Sequence, residues 1–434
     1  MTTSLRRGSC TLAAVVLALG EAVKADESNF RQYLLGGRAA GMGGAFTALA
    51  DDGSGPYYNP GGLAFVTSPQ LSLSAAVYGR ASGSVKDALG QNHDFDFATL
   101  NTFPVVTAAV WRFGAASADI PGDAHVLGLN AFVVDAEHLD ARDQVAQREN
   151  AVFQVVDRQT VWVGPTYARR LGRLGFGASA FLLIGTASNL LDLTLLQSGG
   201  GYSTLTVRTD QRILGFVGSL GVRWDVDDHL RLGASVFTPE VGLGGGSRSL
   251  FARLTSSSDP AAPVTVINAT GLHSTPTQPL RVQLGAAWTQ GRLTLSADAM
   301  VLAARDALDD ADTYPQHFVR RAVVNGSLGV EYVAADRFPL RAGLFTDFSA
   351  SPSPVDVPRG TTSPNASNTQ HLDQYGASAS VGVITDHTAT DLGLNVRAGH
   401  GKDLEPRNLD FGDYVVTSVS VLGIYLFIAS SYRF

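Results

Sequence analysis

The chain has 434 residues, 45% of them hydrophobic and 16% charged, with a formal net charge of −7. An acidic balance with scattered basic residues argues against nucleic-acid binding. Its single cysteine excludes an internal disulfide and a multi-thiolate metal site. Mean hydropathy is only +0.09, and no apolar run approaches the ~20 residues a membrane helix needs.

The first element is an export signal. Arg6 and Arg7 precede an apolar run at residues 11–20, and Val23-Lys24-Ala25 follows as a small-residue cleavage pattern. Cleavage is expected after Ala25, which removes Cys10 and leaves no cysteine. Next comes a glycine-rich stretch at residues 36–65, GGRAAGMGGAFTALADDGSGPYYNPGGLAF. It carries the glycine pairs Gly36-Gly37 and Gly43-Gly44, the acidic pair Asp51-Asp52, and Asn59-Pro60. On its own such a stretch also reads as an ordinary glycine-rich loop.

Alternating apolar runs bounded by turn residues then predict fourteen strands. They lie at 70–79, 104–112, 124–134, 160–170, 173–186, 211–224, 229–238, 279–288, 291–301, 321–333, 339–348, 376–385, 391–399 and 415–434. The gaps between them alternate long and short. Short turns at one end and long loops at the other are the arrangement of an outer-membrane barrel, whose sheet must close because lipid cannot satisfy a free edge. An even strand number puts both ends of the barrel on the periplasmic side. Trp111, Trp224 and Trp288 fall at the periplasmic strand ends and Trp162 at an outer one, as expected of interfacial girdles. The last strand alternates Leu422, Ile424, Leu426 and Ile428 and closes on Tyr432 and Phe434. That ending resembles the signal read by the outer-membrane barrel assembly machinery.

Residues 36–65 resemble the N-terminal plug of the long-chain fatty acid transporter (FadL-type) family of outer-membrane barrels. The glycine pairs, Asp51-Asp52 and Asn59-Pro60 carry the resemblance. The family reads Asn-Pro-Ala where this chain has Asn59-Pro60-Gly61. Weaker matches are VWVGPTYARRL from Val161, LRLGASVFTP from Leu230 and LRAGLF from Leu340. The resemblance implies an all-β fold: a transmembrane antiparallel β-barrel of about 14 strands with an N-terminal plug inside. The implied division is 1–25 signal, 26–66 plug and 67–434 barrel. Gly43, Gly44, Asp51, Asp52, Asn59 and Pro60 are the expected plug residues. A monomer in a Gram-negative outer membrane is implied, in contact with its lipids and with the assembly machinery through Phe434. Members pass hydrophobic small molecules into the barrel and sideways into the membrane, through a wall opened by a kinked third strand. The matching run here is 126–135, which has no proline; Pro165 in the neighbouring strand is a second candidate for an opening.

With tryptophans and Phe434 taken as outward, alternation turns two layers inward. Gly177, Gly221, Gly233, Gly285, Gly329, Gly343 and Gly382 form the lower one. They either leave room for the plug or ease strand curvature. Phe181, Phe237, Met300, Phe345, Tyr425 and Phe427 form the upper one, an apolar belt read as ligand-binding or as packing for the plug. Arg231, Arg281, Arg292 and Arg341 also turn inward, as candidates to hold plug acids or a ligand carboxylate.

The function expected is passive transport of hydrophobic compounds such as long-chain fatty acids. The alternative is an outer-membrane scaffold or shuttle for a secreted partner. No nucleophile elbow or zinc-protease spacing is present, so no enzyme, metal or cofactor is expected.

Overall fold

The computed structural model describes residues 29–31, 33–86, 94–113, 123–145, 150–196, 202–256, 264–272, 278–309, 316–355, 370–406 and 414–434. The expected export signal, with Cys10 and the cut after Ala25, lies outside the described residues.

The strands are β1 (Gln70–Val85), β2 (Phe95–Phe113), β3 (Ala124–Val145), β4 (Asn150–Leu171), β5 (Leu174–Leu196) and β6 (Tyr202–Asp225). They continue as β7 (Leu230–Phe237), β8 (Val241–Ser256), β9 (Val264–Leu272), β10 (Arg281–Gln290), β11 (Leu293–Leu302) and β12 (Arg305–Asp309). The last are β13 (Gln316–Arg320), β14 (Val323–Ala334), β15 (Phe338–Asp347), β16 (Gln370–Ile384), β17 (Thr388–Pro406) and β18 (Tyr414–Arg433).

Antiparallel pairing runs from β1 through β7, then β10, β11 and β14 through β18, and β18 pairs back to β1. Those fourteen strands form a closed wall and correspond one for one to the fourteen predicted. The predicted long loops need correction. Strand pairing continues well into them, because ladder hydrogen bonds need no membrane around them. The expected loop at 239–278 holds β8, which pairs with the outer half of β6, and β9, which pairs with β8. β12 and β13 make a separate hairpin.

The wall is apolar outside and polar or small inside, the inverse of a soluble sheet. β15 shows the pattern: Leu340, Ala342 and Leu344 are exposed, while Arg341, Gly343 and Phe345 are buried. Leu220, Leu284, Leu328 and Leu344 are all more than half exposed on the outer face. Such a band is stable only against lipid, and closure leaves no free edge there. Short turns close the opposite end. Gly172 and Gly291 adopt φ of 59° and 58°, which glycine tolerates without steric cost. Asp227 accepts from the His229 and Leu230 amides at 2.7 Å each, and these bonds hold its carboxyl below the usual range.

Trp111, Trp224 and Trp288 stand exposed near that end, as predicted. Trp162 does not: it is 3% exposed and points inward. β4 begins at Asn150 rather than near residue 160, so Trp162 is a mid-strand residue on the inward phase shared by Thr166 and Ala168. At the chain end Phe434 is 73% exposed, donates its amide to Pro69 O, and meets Tyr432 edge-on at 5.0 Å.

Residues 33–66 are enclosed by the strands. They form α1 (Gly37–Gly41), α2 (Gly55–Tyr58) and a 3-10 helix (Pro60–Phe65). Tyr33, Leu35, Met42, Phe46, Leu49, Tyr57 and Tyr58 share one buried cluster with Phe132, Trp162, Phe181, Val217 and Phe237 of the wall. A second cluster joins Leu63, Phe65 and Val66 to Val110, Val126 and Ala168. The hydrophobic core therefore lies between segment and wall, where apolar surface leaves water without meeting lipid.

Candidate functional site

The segment is seated by backbone-to-backbone approach. Gly43 has φ of 65°, and a Cβ there would stand 2.9 Å from Leu344 N. A side chain on Gly329 would stand 2.7 Å from Met42 O. Gly177 and Gly221 face Pro60 and Asn59, Gly233 and Gly285 face Thr47, and Gly343 faces Gly43. Six of the seven predicted inward glycines thus meet residues 33–66; Gly382 faces Asp391 and Pro339 instead.

Asn59 saturates its amide. Its Oδ1 accepts from Gly61 N at 3.0 Å, and its Nδ2 donates to Thr47 O at 2.8 Å and to Val222 O on β6 at 2.9 Å. It fixes the segment's last turn internally and ties it to the wall. Pro60 follows as the first residue of the 3-10 helix, where a missing N–H costs nothing.

The charges form a connected chain. Asp51 accepts from Arg38 at 2.8 Å and pairs with Arg223 of β6 at 3.3 Å. Arg38 also grips Glu331 of β14 through Nε at 3.0 Å and Nη2 at 2.8 Å. Glu331 accepts from Arg341 at 2.6 Å, and Arg341 bonds Asp391. Burial pushes Asp51 upward, but Arg38 and Arg223 overcome it and hold the carboxyl below its usual range. Burial pushes Asp52 up despite bonds from Ser54, and no wall arginine pairs with it among the described residues.

The predicted arginines divide. Arg341 reaches Glu331 rather than a segment acid, Arg231 donates to Thr289, and Arg292 pairs with exposed Asp336 in a turn. Arg281 is 5% exposed and donates to Tyr57 O at 3.1 Å. The residue that does hold Asp51 is Arg223. Its inward phase follows from outward Trp224 one position later, a signal present in the sequence but not used.

The apolar belt is inward, and four of its six residues fall into two groups. Phe181 and Phe237 join Phe132, Trp162 and Tyr57, with Trp162 centred 5.8 Å from Phe181 and 6.4 Å from Phe237. Phe345 and Tyr425 flank Arg397, at 5.6 and 5.3 Å, and Tyr425 meets Tyr33 edge-on at 5.8 Å. Met300 stands apart, 3.6 Å from Gln283 Nε2. Phe427 packs across Gly393.

Two neighbouring wall strands, β2 and β3, separate over their outer parts. β2 and β3 pair only from Phe113↔His125 to Val106↔Phe132. Beyond that point β2 continues with β1 and β3 continues with β4. β3 shifts register between Val133 and Asp135, a bulge that needs no proline. Tyr33 of the segment donates its hydroxyl to Ala136 O just past this bulge. At Pro165 the pairing of β4 with β5 lapses over Gly164 and Pro165 and resumes on both sides.

A closed barrel of fourteen strands, filled from its N-terminal end, with an aromatic lumen and a parted seam at the third strand, is a FadL-type fold. Solved structures that share it include a Pseudomonas aeruginosa FadL homologue, with 13% identity, a TM-score of 0.62 and coverage of 94% of this chain and 100% of that one. The Pseudomonas putida toluene transporter TodX matches with 15% identity, a TM-score of 0.61 and coverage of 94% and 99%. The Ralstonia pickettii toluene transporter TbuX matches with 16% identity, a TM-score of 0.58 and coverage of 93% and 100%. No protein-family model matches the sequence, and no curated protein matches it.

Proposed function

We propose that this chain is an outer-membrane channel for passive uptake of hydrophobic compounds, long-chain fatty acids and small aromatic molecules among them. The observation that carries this reading is the seam between β2 and β3, which begins at Phe132, a member of the buried aromatic cluster. A route from that cluster through the wall delivers an apolar solute into lipid without crossing periplasmic water. Residues 26–66 act as the plug and 67–434 as the barrel. Phe181, Phe237, Met300, Phe345, Tyr425 and Phe427 are the proposed path-lining residues, with Gly43, Gly44, Asp51, Asp52, Asn59 and Pro60 seating the plug. A methylene buried along such a path gains about 0.8 kcal/mol, enough to draw a fatty chain inward. Two structural neighbours are toluene transporters, which favours the aromatic end of this range. The chain works as a monomer, and exposed Phe434 is the handle for barrel assembly.

Cells lacking their own hydrophobe channels test the proposal. Expression of this chain is expected to speed uptake of oleate and toluene but not of a sugar of similar mass. Equal acceleration of the sugar would indicate a water-filled pore, and no acceleration of any solute would favour the scaffold role.

A further inference from the structure

Two buried donors lack partners within one aromatic cage. Arg281 Nε and Trp162 Nε1 are both without a hydrogen bond, and the two residues are 5% and 3% exposed. The Arg281 guanidinium lies 5.5 Å from the Trp162 ring, 3.8 Å from the Phe237 ring and 4.6 Å from the Tyr57 ring. No carboxylate pairs with Arg281 among the described residues. Buried unsatisfied donors are rare enough to require a reason, and a desolvated guanidinium without an anion is costly. Stacking on rings offsets only part of that cost.

What fills the cage is the segment itself. The Tyr57 ring sits 5.7 Å from Trp162 and 6.0 Å from Phe132, and the Tyr57 carbonyl accepts from Arg281 Nη2. An arene beside a hydrogen-bond acceptor therefore occupies the position in this state. Arg281 Nε and the indole N–H remain without a partner, because a neutral carbonyl supplies one oxygen where a carboxylate supplies two.

We propose that Arg281, Trp162, Phe132 and Phe237 form a binding site for aromatic carboxylates, held closed by Tyr57 acting as an internal stand-in ligand. An aryl acid displaces the Tyr57 ring, stacks in its place and presents both oxygens to Arg281 and Trp162. Displacing Tyr57 pulls on α2 and so on the Asn59 tether behind it, which couples occupancy to plug movement. This deepens the transport reading, since it names a solute class for the same lumen.

The test is calorimetric titration of the purified full-length protein in detergent with 2-naphthoate and with neutral 2-methylnaphthalene. Arg281→Leu is expected to weaken naphthoate binding roughly tenfold or more, the scale of a charge-assisted hydrogen bond, and to leave methylnaphthalene within about twofold. Trp162→Phe keeps a ring, removes one donor and is expected to weaken naphthoate about threefold; it serves if Arg281→Leu does not fold. Tyr57→Ala is expected to tighten naphthoate by roughly tenfold, because the internal competitor is gone. Equal naphthoate affinity in the wild type and both donor variants overturns the site, as does weaker binding by Tyr57→Ala. Uptake of neutral hydrophobes by expressing cells is measured alongside: if it persists, such a result overturns only the acid site and not the channel.

Discussion

Asp51 is a carboxylate whose environment sets a pH limit on the seating of residues 33–66. Its folded value lies below its unfolded one, so its contribution is present above about pH 4 and is lost as pH falls through the depressed value. Protonation would leave Arg38 with Glu331 alone and Arg223 with Asp225. Limited proteolysis within residues 33–66 is therefore expected to rise in wild-type protein as pH falls below about 4. Asp51→Asn should show fast cleavage already at neutral pH and a smaller acid step. An unchanged acid step in that variant would assign the effect to other carboxylates. Asp52 works in the opposite sense, because its value is raised; its ionisation above that value opposes the folded arrangement.

At the scale of elements, residues 33–66 are held by matching bare backbone against bare backbone. Gly43 against Leu344, and Gly343 against Met42 and Gly43, leave no volume for a side chain on either partner. Gly343→Leu is expected to dislodge α1 at a cost of roughly 1–3 kcal/mol and to raise cleavage of residues 33–66 about tenfold with the barrel intact. Gly244→Ala, which meets nothing within 4 Å, is expected to leave cleavage unchanged; equal rates in the two variants would contradict the packing argument. The strands were legible because period-two alternation survives inversion of inside and outside, and because loop lengths alternate. The glycine layer was legible for the same reason. Trp162 was misread because tryptophan was assumed to mark an interface, and that error hid the cage it forms with Tyr57 and Arg281. The ends of β3 and β4 were misread because polar alternation above the membrane, as in Glu137 opposite Arg158, looks like loop sequence. Phe132 as the last paired residue of the seam depends on register with β2, which no single strand encodes.

For the whole molecule, the barrel wall and the core it encloses are held by different interactions. The wall is fixed by continuous ladders and its lipid-facing leucines. The core between residues 33–66 and the wall is made of apolar contacts and a few ionic and amide tethers, separate from the ladders that close the barrel. The two meet at one place, where Tyr33 bonds Ala136 beside the β3 bulge. Any movement of residues 33–66 would thereby act on the stretch of wall where β2 and β3 are not paired with each other.

Deletion of Val134 tests that arrangement most directly. Removing the bulge residue makes β3 continuous in register with β4 and lets its pairing with β2 extend beyond Phe132. Surface-expressed protein with this deletion should retain a folded barrel but show hydrophobe uptake reduced about tenfold or more relative to wild type, a closing bias of roughly 1.4 kcal/mol. Undiminished uptake by the deleted protein, at equal surface level, would contradict lateral passage through the seam.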